Sequence, residues 1–357
     1  MVIISLISLI SIIFMFFLNL VKLNNKGLKS VLTIIFIFIF IFLSLRYDYG
    51  NDYMSYYLIF LDYTKYDYLY NPSLEIGWLF LNKIFSNLGF FLMIAFLSFF
   101  YLYILYYFIL KKVDPKYFWL SLFLLLIVPS NMLINLSAMR QSVAISFFTL
   151  FVFSFFGKKY IFSFFLLILG FLFHKTIIFA FIIFLMIFFS KKINNLNFIL
   201  FSLLGFFLIF LFNGLIFNFI NPLLLMITDK YSVYNEAANF KLGIGVIFQL
   251  LLFVVINFYN KDFIDKNNEI LLRLSSLVFI LTPIILIDQN LVRISFYFEM
   301  LLIFSIPIML KNIENIHIRY GIISLFLAWY LFSYISFFNN PLWIKSYLEY
   351  KTIFSVG

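Results

Sequence analysis

The chain lacks cysteine and contains only two histidines among its 357 residues. The absence of cysteine excludes disulfides, thiol nucleophiles and cysteine metal sites, and two imidazoles are too few for a histidine-rich metal centre. Charge is also scarce, because Asp, Glu, Lys and Arg make up 11% of the residues, against about 25% in soluble domains. So little charge cannot cover a soluble surface, which excludes secreted proteins, soluble cofactor-carrying enzymes and nucleic-acid-binding proteins.

Apolar side chains are abundant instead and account for 65% of the residues. A transmembrane helix uses about 20 apolar residues, so the chain has enough for about twelve. We therefore predict an all-α polytopic integral membrane protein, with residues 1–357 forming a single membrane domain. The predicted spans cover residues 2–21, 30–45, 90–110, 117–135, 141–157, 160–173, 176–190, 197–224, 242–259, 270–287, 294–310 and 319–338.

Residues 46–89 form a long connection between the second and third predicted spans. We predict an outer loop followed by a helix over 74–89 that is interfacial or re-entrant and not a span, because this stretch is amphipathic. The first apolar run, 2–21, lacks the basic start and small-residue cleavage site of a signal peptide. It is therefore predicted to remain as a span.

Lysine is concentrated in every second connection between the predicted spans. Basic residues favour cytoplasmic loops, so this side is predicted to face the cytosol and both termini to face outward. The formal net charge of +10 then reflects membrane orientation and not nucleic-acid binding. The basic residues of this side are Lys22, Lys26, Lys29, Lys111, Lys112, Lys116, Lys158, Lys159, Lys191, Lys192, Lys261, Lys266, Arg273, Lys311 and Arg319.

Arginine is used differently from lysine. Arg46, Arg140 and Arg293 all fall at predicted outer ends of spans. The planar guanidinium binds phosphate or carboxylate through two parallel hydrogen bonds, which lysine cannot do. A single arginine in such a place can simply reach lipid headgroups. Three on one face predict anion recognition.

Other polar residues follow Arg46 in the predicted outer loop. Gly50 provides a flexible turn, Asp52 an acid, and Tyr56 a ring that suits either stacking on a sugar or the aromatic belt of a membrane interface. Glu75 lies in the first turn of the predicted helix over 74–89. An acid there favours the helix dipole, so capping is its predicted role when it is taken alone.

Polar residues also stand at later outer ends. Gln141, next to Arg140, is predicted to point into the helix bundle. His174 lies in a tight hairpin between two predicted spans, where polar groups are costly and often functional. Tyr297 is four residues beyond Arg293 and shares its helix face. Such groups suit a charged, sugar-like substrate delivered by the membrane, because arginines stabilise a pyrophosphate leaving group and a carboxylate or imidazole accepts a proton.

In order and spacing, these segments resemble the EpsG family, which includes Wzy-type polymerases of O-antigen and exopolysaccharide. The resemblance extends over about residues 40–300, and Lys175 departs from the small polar residue expected at its position. The segments that carry it are Arg46 with Gly50-Asn51-Asp52 and Tyr56, Glu75-Ile76-Gly77, Arg140-Gln141-Ser142-Val143-Ala144, Phe173-His174-Lys175-Thr176, Arg293 with Tyr297, and the closing Tyr350-Lys351-Thr352-Ile353.

The resemblance implies a polymerase that joins undecaprenyl-diphosphate-linked oligosaccharide repeat units on the periplasmic or outer face of a bacterial plasma (inner) membrane. It implies a glycosyl transfer without metal or other cofactor, and a flippase and a chain-length regulator as partners in the lipid bilayer. The implied catalytic residues are Asp52, Glu75, His174 and Arg140, with the base left open among the first three. The implied substrate-binding residues are Arg46, Gly50, Tyr56, Gln141, Arg293 and Tyr297.

Other functions compete with this interpretation. A flippase or other transporter of lipid-linked oligosaccharide suits about twelve spans, but its polar groups are expected near the midplane, on broken helices in repeated halves. A different lipid-sugar glycosyltransferase or a ligase suits the acids of the early loop. A ligase usually has a large late outer loop, and 226–241 is short. A membrane acyltransferase is disfavoured, because neither His174 nor His317 precedes an aspartate at catalytic spacing.

Overall fold

The computed structural model describes residues 1–66, 74–212, 243–262, 265–281 and 292–355, and these are mostly helical. Parts of the predicted spans 197–224 and 270–287, and the predicted late loop 226–241, lie outside the described residues. The helices, numbered here in chain order, are α1 Val2–Leu20, α2 Asn25–Ser44, α3 Tyr53–Tyr66, α4 Ile76–Phe85, α5 Phe90–Lys112, α6 Phe118–Leu126, α7 Asn135–Ser137, α8 Met139–Phe156, α9 Tyr160–Phe173, α10 Ile177–Phe189, α11 Asn195–Leu211, α12 Ile244–Phe258, α13 Lys266–Ser276, α14 Val292–Glu299, α15 Leu302–Asn312, α16 Ile316–Phe337 and α17 Pro341–Tyr347.

Five of the described helices, α1, α2, α5, α8 and α16, are long and apolar enough to cross a membrane. Two bent helix pairs raise the number to seven if each pair is one span. Helices α9, α11 and α12 are apolar but have 14, 17 and 15 residues, fewer than the usual span of about 20. The prediction of an all-α membrane protein is confirmed, and the number of twelve spans stays a prediction.

Two predicted spans are not straight. The pair that covers most of 117–135 bends by 66°, and the pair α14 and α15 bends by 45°. The first bend lies at residues 127–129 and includes Pro129, which has no backbone N–H and cannot continue a helix. A π-helical turn, Ser130–Ile134, comes next. The buried Asn131 side chain donates to the Leu124 carbonyl at 2.9 Å, which satisfies a carbonyl near the end of α6.

The chain divides into two compact units, Met1–Ile177 with Tyr330–Gly357, and Ile178–Trp329. In the first unit α2 packs on α5, α1 on α6, and α8 on α9. In the second unit, Arg273 of α13 is fully buried and pairs with Glu269 at 2.8 Å. Its guanidinium also donates to the Ser190 carbonyl at 2.7 Å, which ties α13 to the connection between α10 and α11.

Helices α2 and α5 run in opposite directions. Arg46, which follows α2, contacts Ser98 in the first half of α5, whereas Thr33 in the first half of α2 contacts Tyr106 near the end of α5. The lysines that begin α2 and those that end α5 therefore lie at the same end of the unit, opposite Arg46.

Helices α1 and α8 place more lysine-rich connections at that end. Asn19 in the last turn of α1 donates to the Lys116 carbonyl at 2.9 Å. Lys112 at the end of α5 lies 5.9 Å from the Phe153 ring in the last turn of α8. The lysine-rich connections that follow α1, α5 and α8 thus lie at one end of the first unit. Which face of the membrane this end occupies stays a prediction.

The connection between α2 and α5 contains more structure than the predicted outer loop. Helix α3 occupies 14 of its residues, and the prediction missed it because the stretch is polar and rich in tyrosine. A helix is present within the predicted stretch 74–89 as the shorter α4, and its position at the membrane interface stays a prediction. Helices α3, α4, α5 and α8 surround one buried cluster, formed by Tyr53, Tyr56, Phe60, Trp78, Leu81, Phe85, Phe90, Met93, Ile94, Leu97, Met139 and Val143.

A small antiparallel sheet lies beside this connection. Strand β1, Arg46–Tyr47, pairs with β2, Lys351–Thr352, so that Tyr47 lies opposite Lys351. Met1 lies beside Leu348, with 3.0 Å between its nitrogen and the Leu348 carbonyl oxygen. The first and last described segments therefore lie at the same end of the first unit, which is also the end that holds Arg46.

Candidate functional site

Three side chains from separate parts of the chain meet at the start of α8. Arg140, in the first turn of α8, forms an ion pair with Glu75, and its Nε donates to the Tyr56 hydroxyl at 3.4 Å. Its guanidinium carbon also lies 5.8 Å from the centre of the Tyr56 ring. The side chains of Arg140 and Glu75 remain 20% and 17% exposed, so a ligand can reach them. We call Tyr56, Glu75 and Arg140 the Arg140 cluster.

Glu75 does not act as a helix cap. It occupies the N-cap position of α4, but its side chain makes no capping hydrogen bond. Its carboxylate binds the Arg140 guanidinium instead. A charged guanidinium is a stronger hydrogen-bond donor than the neutral backbone N–H groups at the start of the helix. Glu75 thus stands at the start of a helix, as predicted, but it does not form the side-chain hydrogen bond of a helix cap.

The glycine of the Glu75-Ile76-Gly77 segment allows α4 to contact the end of α9. A Cβ added to Gly77 would lie 2.8 Å from the Leu172 carbonyl oxygen, a distance that real Cβ atoms do not adopt. Any larger residue would push α4 away from α9 and move Glu75 with it. The same contact places α4 against Phe173, the residue directly before His174.

His174 is held in a buried position at the end of α9. Its side chain is 6% exposed, and its Nδ1 lies 2.6 Å from the Thr176 hydroxyl. This contact fixes the ring orientation and explains the polar residue two positions after the histidine. Thr176 was not among the predicted site residues, although its place in the Phe173-His174-Lys175-Thr176 segment was the signal for it.

Tyr56 is buried against the ring of Trp78, with 4.8 Å between ring centres. Burial raises the pKa of Tyr56, and the nearby charge and hydrogen bond of Arg140 lower it by less. The phenol therefore stays protonated at neutral pH. Its hydroxyl accepts from Arg140 and keeps its own proton to donate to a ligand.

Asp52 and Gly50 form the turn that leads into α3. Gly50 has a φ of 122°, a conformation that favours glycine. The Asp52 carbonyl accepts a hydrogen bond from the Tyr56 backbone at 3.1 Å, and Asn51 donates to the Asp52 carboxylate at 2.9 Å. Asp52 is half-buried, one helical turn before Tyr56, and its charge acts on the Tyr56 hydroxyl.

Arg46 faces inward. It is 2% exposed, and its guanidinium donates to the Leu43 carbonyl at 2.5 Å and to the Ser98 hydroxyl at 2.9 Å. It borders a cavity of about 20 Å³ that is also lined by Tyr101 and Asn135, room for about one water molecule. In this geometry Arg46 ties the end of α2 to α5. Its predicted role as a phosphate ligand stays a prediction.

The remaining predicted residues lie in both units. Gln141 is 2% exposed in α8 and points into the first unit, as predicted. Arg293 and Tyr297 lie four residues apart on α14 of the second unit, with Tyr297 fully buried and Arg293 partly exposed. Their participation in a common site with the Arg140 cluster stays a prediction. Within the described ranges, no three His, Cys, Asp or Glu side chains are grouped so that they could hold a metal ion.

Comparison with known proteins identifies one family. No curated protein and no solved structure matches the chain. The model of the EpsG family matches residues 29–352, which include the Arg140 cluster, His174 and both strands of the small sheet. This match covers nearly the whole sequence, so the chain belongs to the EpsG family, whose members are Wzy-like polymerases.

Proposed function

We propose that the chain is a membrane glycosyltransferase that polymerises undecaprenyl-diphosphate-linked oligosaccharide repeat units into O-antigen or exopolysaccharide. Membership of the EpsG family supports a polysaccharide polymerase, and the apolar helices support a multi-pass membrane protein. The lysine-rich connections support action on the outer face, because the Arg140 cluster lies at the end of the first unit opposite them.

The observation that carries the proposal is the Arg140 cluster. A polymerase of this kind must hold a diphosphate while its bond to the sugar breaks. A partly exposed guanidinium offers two parallel donors for that purpose, and in this chain the Glu75 carboxylate accepts a hydrogen bond from one of them. A diphosphate that binds Arg140 therefore competes with the Glu75 carboxylate.

In the proposed reaction, a hydroxyl at the non-reducing end of the incoming repeat attacks the anomeric carbon of the growing chain. The new carbon–oxygen bond forms as the bond to the lipid diphosphate breaks, and the diphosphate leaves with the bonding electrons. Arg140 stabilises this negative charge. The hydroxyl proton passes to a base, which is Asp52, Glu75 or His174. Glu75 becomes available for this role when the diphosphate takes its place on Arg140.

The proposal is tested by deleting the gene in its own host and restoring it from a plasmid. Loss of a polymerase should leave single repeats on the surface, whereas loss of a flippase should leave none. Complementation with the wild type should restore long chains, and variants Arg140→Ala, His174→Ala and Asp52→Ala should not. Membrane levels of each variant, measured with an epitope tag, control for folding.

Two results would contradict the proposal. The first is a deletion strain without any surface repeat, which would favour a transporter. The second is unchanged polymer length in all three alanine variants, which would show that the Arg140 cluster and its neighbours are not the site.

A further inference from the structure

The last described segment of the chain folds back onto the turn that leads into α3. Strand β2 pairs with β1, and the Ser346 carbonyl accepts a hydrogen bond from the Gly50 backbone at 3.2 Å. On its other side the turn touches α7, because a Cβ added to Gly50 would lie 3.3 Å from the Ser137 hydroxyl oxygen. The turn is therefore held between the C-terminal segment and α7.

Ser137 joins these two neighbours of the turn. Its hydroxyl accepts a hydrogen bond from the Asn51 backbone at 2.9 Å and lies 2.9 Å from the Tyr347 hydroxyl. Tyr347 is fully buried and donates its proton to the Leu133 carbonyl. The Ser137 hydroxyl must therefore donate its proton to the Tyr347 oxygen. The lone pairs of the Ser137 oxygen then face the Asn51 N–H.

The Gly50–Asp52 turn also determines where the candidate site residues Asp52 and Tyr56 lie. The Gly50 carbonyl accepts from the Tyr53 backbone at 3.1 Å, and the Asp52 carbonyl accepts from the Tyr56 backbone at the same distance. These bonds make the turn continuous with α3. A shift of the turn therefore moves Asp52 and Tyr56 together, and Tyr56 contacts Arg140.

We propose that Tyr347 and Ser137 are positioning residues of the candidate site, which hold the Gly50–Asp52 turn and thereby keep Asp52 and Tyr56 in place relative to Arg140. The expected effect of these two residues on the rate of polymerisation rests on the proposed function. Tyr347 and Ser137 act through the turn, from 210 residues apart in the sequence.

The test uses the full-length protein in lipid nanodiscs, with variants Ser137→Ala and Tyr347→Phe. Tyr350→Phe is the matched control, because its hydroxyl bonds to the Phe42 carbonyl at 2.5 Å in the same segment of chain. Hydrogen–deuterium exchange at the Asn51 amide should be about tenfold faster in Ser137→Ala, since the amide loses its acceptor. Tyr347→Phe should shift it in the same direction, and Tyr350→Phe should leave it unchanged.

Kinetics then separate positioning from simple structural support. We expect kcat for polymerisation of lipid-linked repeats to fall about tenfold in Ser137→Ala and Tyr347→Phe, because misplaced groups slow the chemical step. KM should change by less than about twofold, since Arg140 still binds the diphosphate. A merely structural role would reduce the amount of folded protein and leave kcat per folded molecule unchanged.

Either of two results would overturn the inference. One is wild-type exchange at the Asn51 amide in both variants, and the other is faster exchange with unchanged kcat. If the wild-type protein forms no polymer at all, the proposed function fails instead, and the exchange rates alone decide whether Tyr347 and Ser137 hold the turn.

Discussion

Arg140 is the residue whose chemistry can be tested most sharply, because lysine keeps its charge but not its planar fork. In Arg140→Lys the single ammonium cannot bind two diphosphate oxygens in parallel, so we expect polymerisation to slow about 100-fold. The ion pair with Glu75 can still form, so membrane levels should stay near wild type. The measurement is the polymer ladder formed in membranes of the complemented deletion strain.

Arg319→Lys is the matched control for this change. Arg319 donates to the Ile313 backbone carbonyl and lies outside the Arg140 cluster. Polymer length should be unaffected by its replacement. Equal ladders from both variants would show that the guanidinium of Arg140 has no special role.

The sequence predicted the types of residue in the site better than their partners. Arg140 was expected to bind an anion, and the partner observed is Glu75, 65 residues away in the sequence. That pairing depends on which helices are neighbours. The apolar pattern of a helix fits many neighbours, so the sequence does not show which helix supplies the partner. Arg46 was expected to face a ligand, yet it is buried and donates a hydrogen bond to Ser98 of α5. This partner also depends on which helix lies next to Arg46. His174 was selected as a candidate because a polar group is costly in a membrane, which is a local property that the sequence alone reveals, and its role stays a prediction.

At the scale of the helix, the contact between α4 and α9 depends on the missing side chain of Gly77. In Gly77→Ala the added methyl group would meet the Leu172 carbonyl at 2.8 Å, and backbone at that place cannot move aside easily. We expect a loss of about 1–3 kcal/mol in stability, as for other overpacked sites, together with reduced polymerisation. Thermal unfolding followed by size-exclusion chromatography measures the first effect.

Gly321→Ala is the control, because a Cβ at Gly321 in α16 meets nothing within 4 Å. Alanine favours a helix over glycine by about 1 kcal/mol, so this variant should be equally stable or more stable. If Gly77→Ala unfolds at the same temperature as Gly321→Ala, then α4 and α9 are not in contact as described.

The strand pair can be tested because the chain has no cysteine of its own. Tyr47 and Lys351 are direct partners across β1 and β2. A Tyr47→Cys and Lys351→Cys double variant should form a disulfide under mild oxidation, since Cα atoms of paired strands lie about 5 Å apart. The product is detected by mobility on a non-reducing gel after proteolysis. Tyr47→Cys with Ser355→Cys should form none, and a disulfide in that pair alone would contradict the register.

The tyrosines around the turn predict how this region responds to alkaline pH. The pKa values of Tyr49, Tyr53 and Tyr347 are raised, mainly because these side chains are buried. The folded protein therefore keeps protons that the unfolded chain releases above the ordinary tyrosine pKa of about 10. Stability should be full below that pH and should fall as pH rises above it.

The variant Tyr49→Phe makes this expectation specific. The Tyr49 hydroxyl is buried without a hydrogen-bond partner among the described residues, so its removal costs no hydrogen bond. The fall in unfolding temperature between pH 8 and pH 11 should be smaller in Tyr49→Phe than in wild type. Tyr320→Phe, at a position that is 60% exposed, should behave as wild type. An equal fall in all three proteins would contradict the burial of Tyr49.

Helices with strong periodicity or long apolar runs were predictable, and the exceptions have physical causes. Helix α3 was missed because three of its four buried side chains are tyrosines and its sequence includes Asp62 and Lys65, so it does not resemble a membrane span. The bend after α6 was signalled by Pro129, but the apolar residues on both sides concealed it. Hydrophobic patterns in a sequence indicate which residues are buried. A helix bend depends instead on which side chains satisfy the backbone groups that lose their helical hydrogen bonds.

At the scale of the whole molecule, charge was the most informative feature. The lysine-rich connections of the first unit gather at one end, and the Arg140 cluster, the small sheet and the first and last described segments gather at the other. This arrangement fits the proposed polymerase, which would act on the outer face with its lysine-rich end in the cytosol.

The most direct measurement is polymerisation by the purified chain in proteoliposomes that contain only undecaprenyl-diphosphate-linked repeats. We expect the wild type to form a ladder with steps of one repeat, and Arg140→Lys to extend its chains about 100-fold more slowly. The contrary result is a wild-type protein that is folded and correctly inserted but leaves every repeat single, or an Arg140→Lys ladder that equals the wild-type ladder in length and rate.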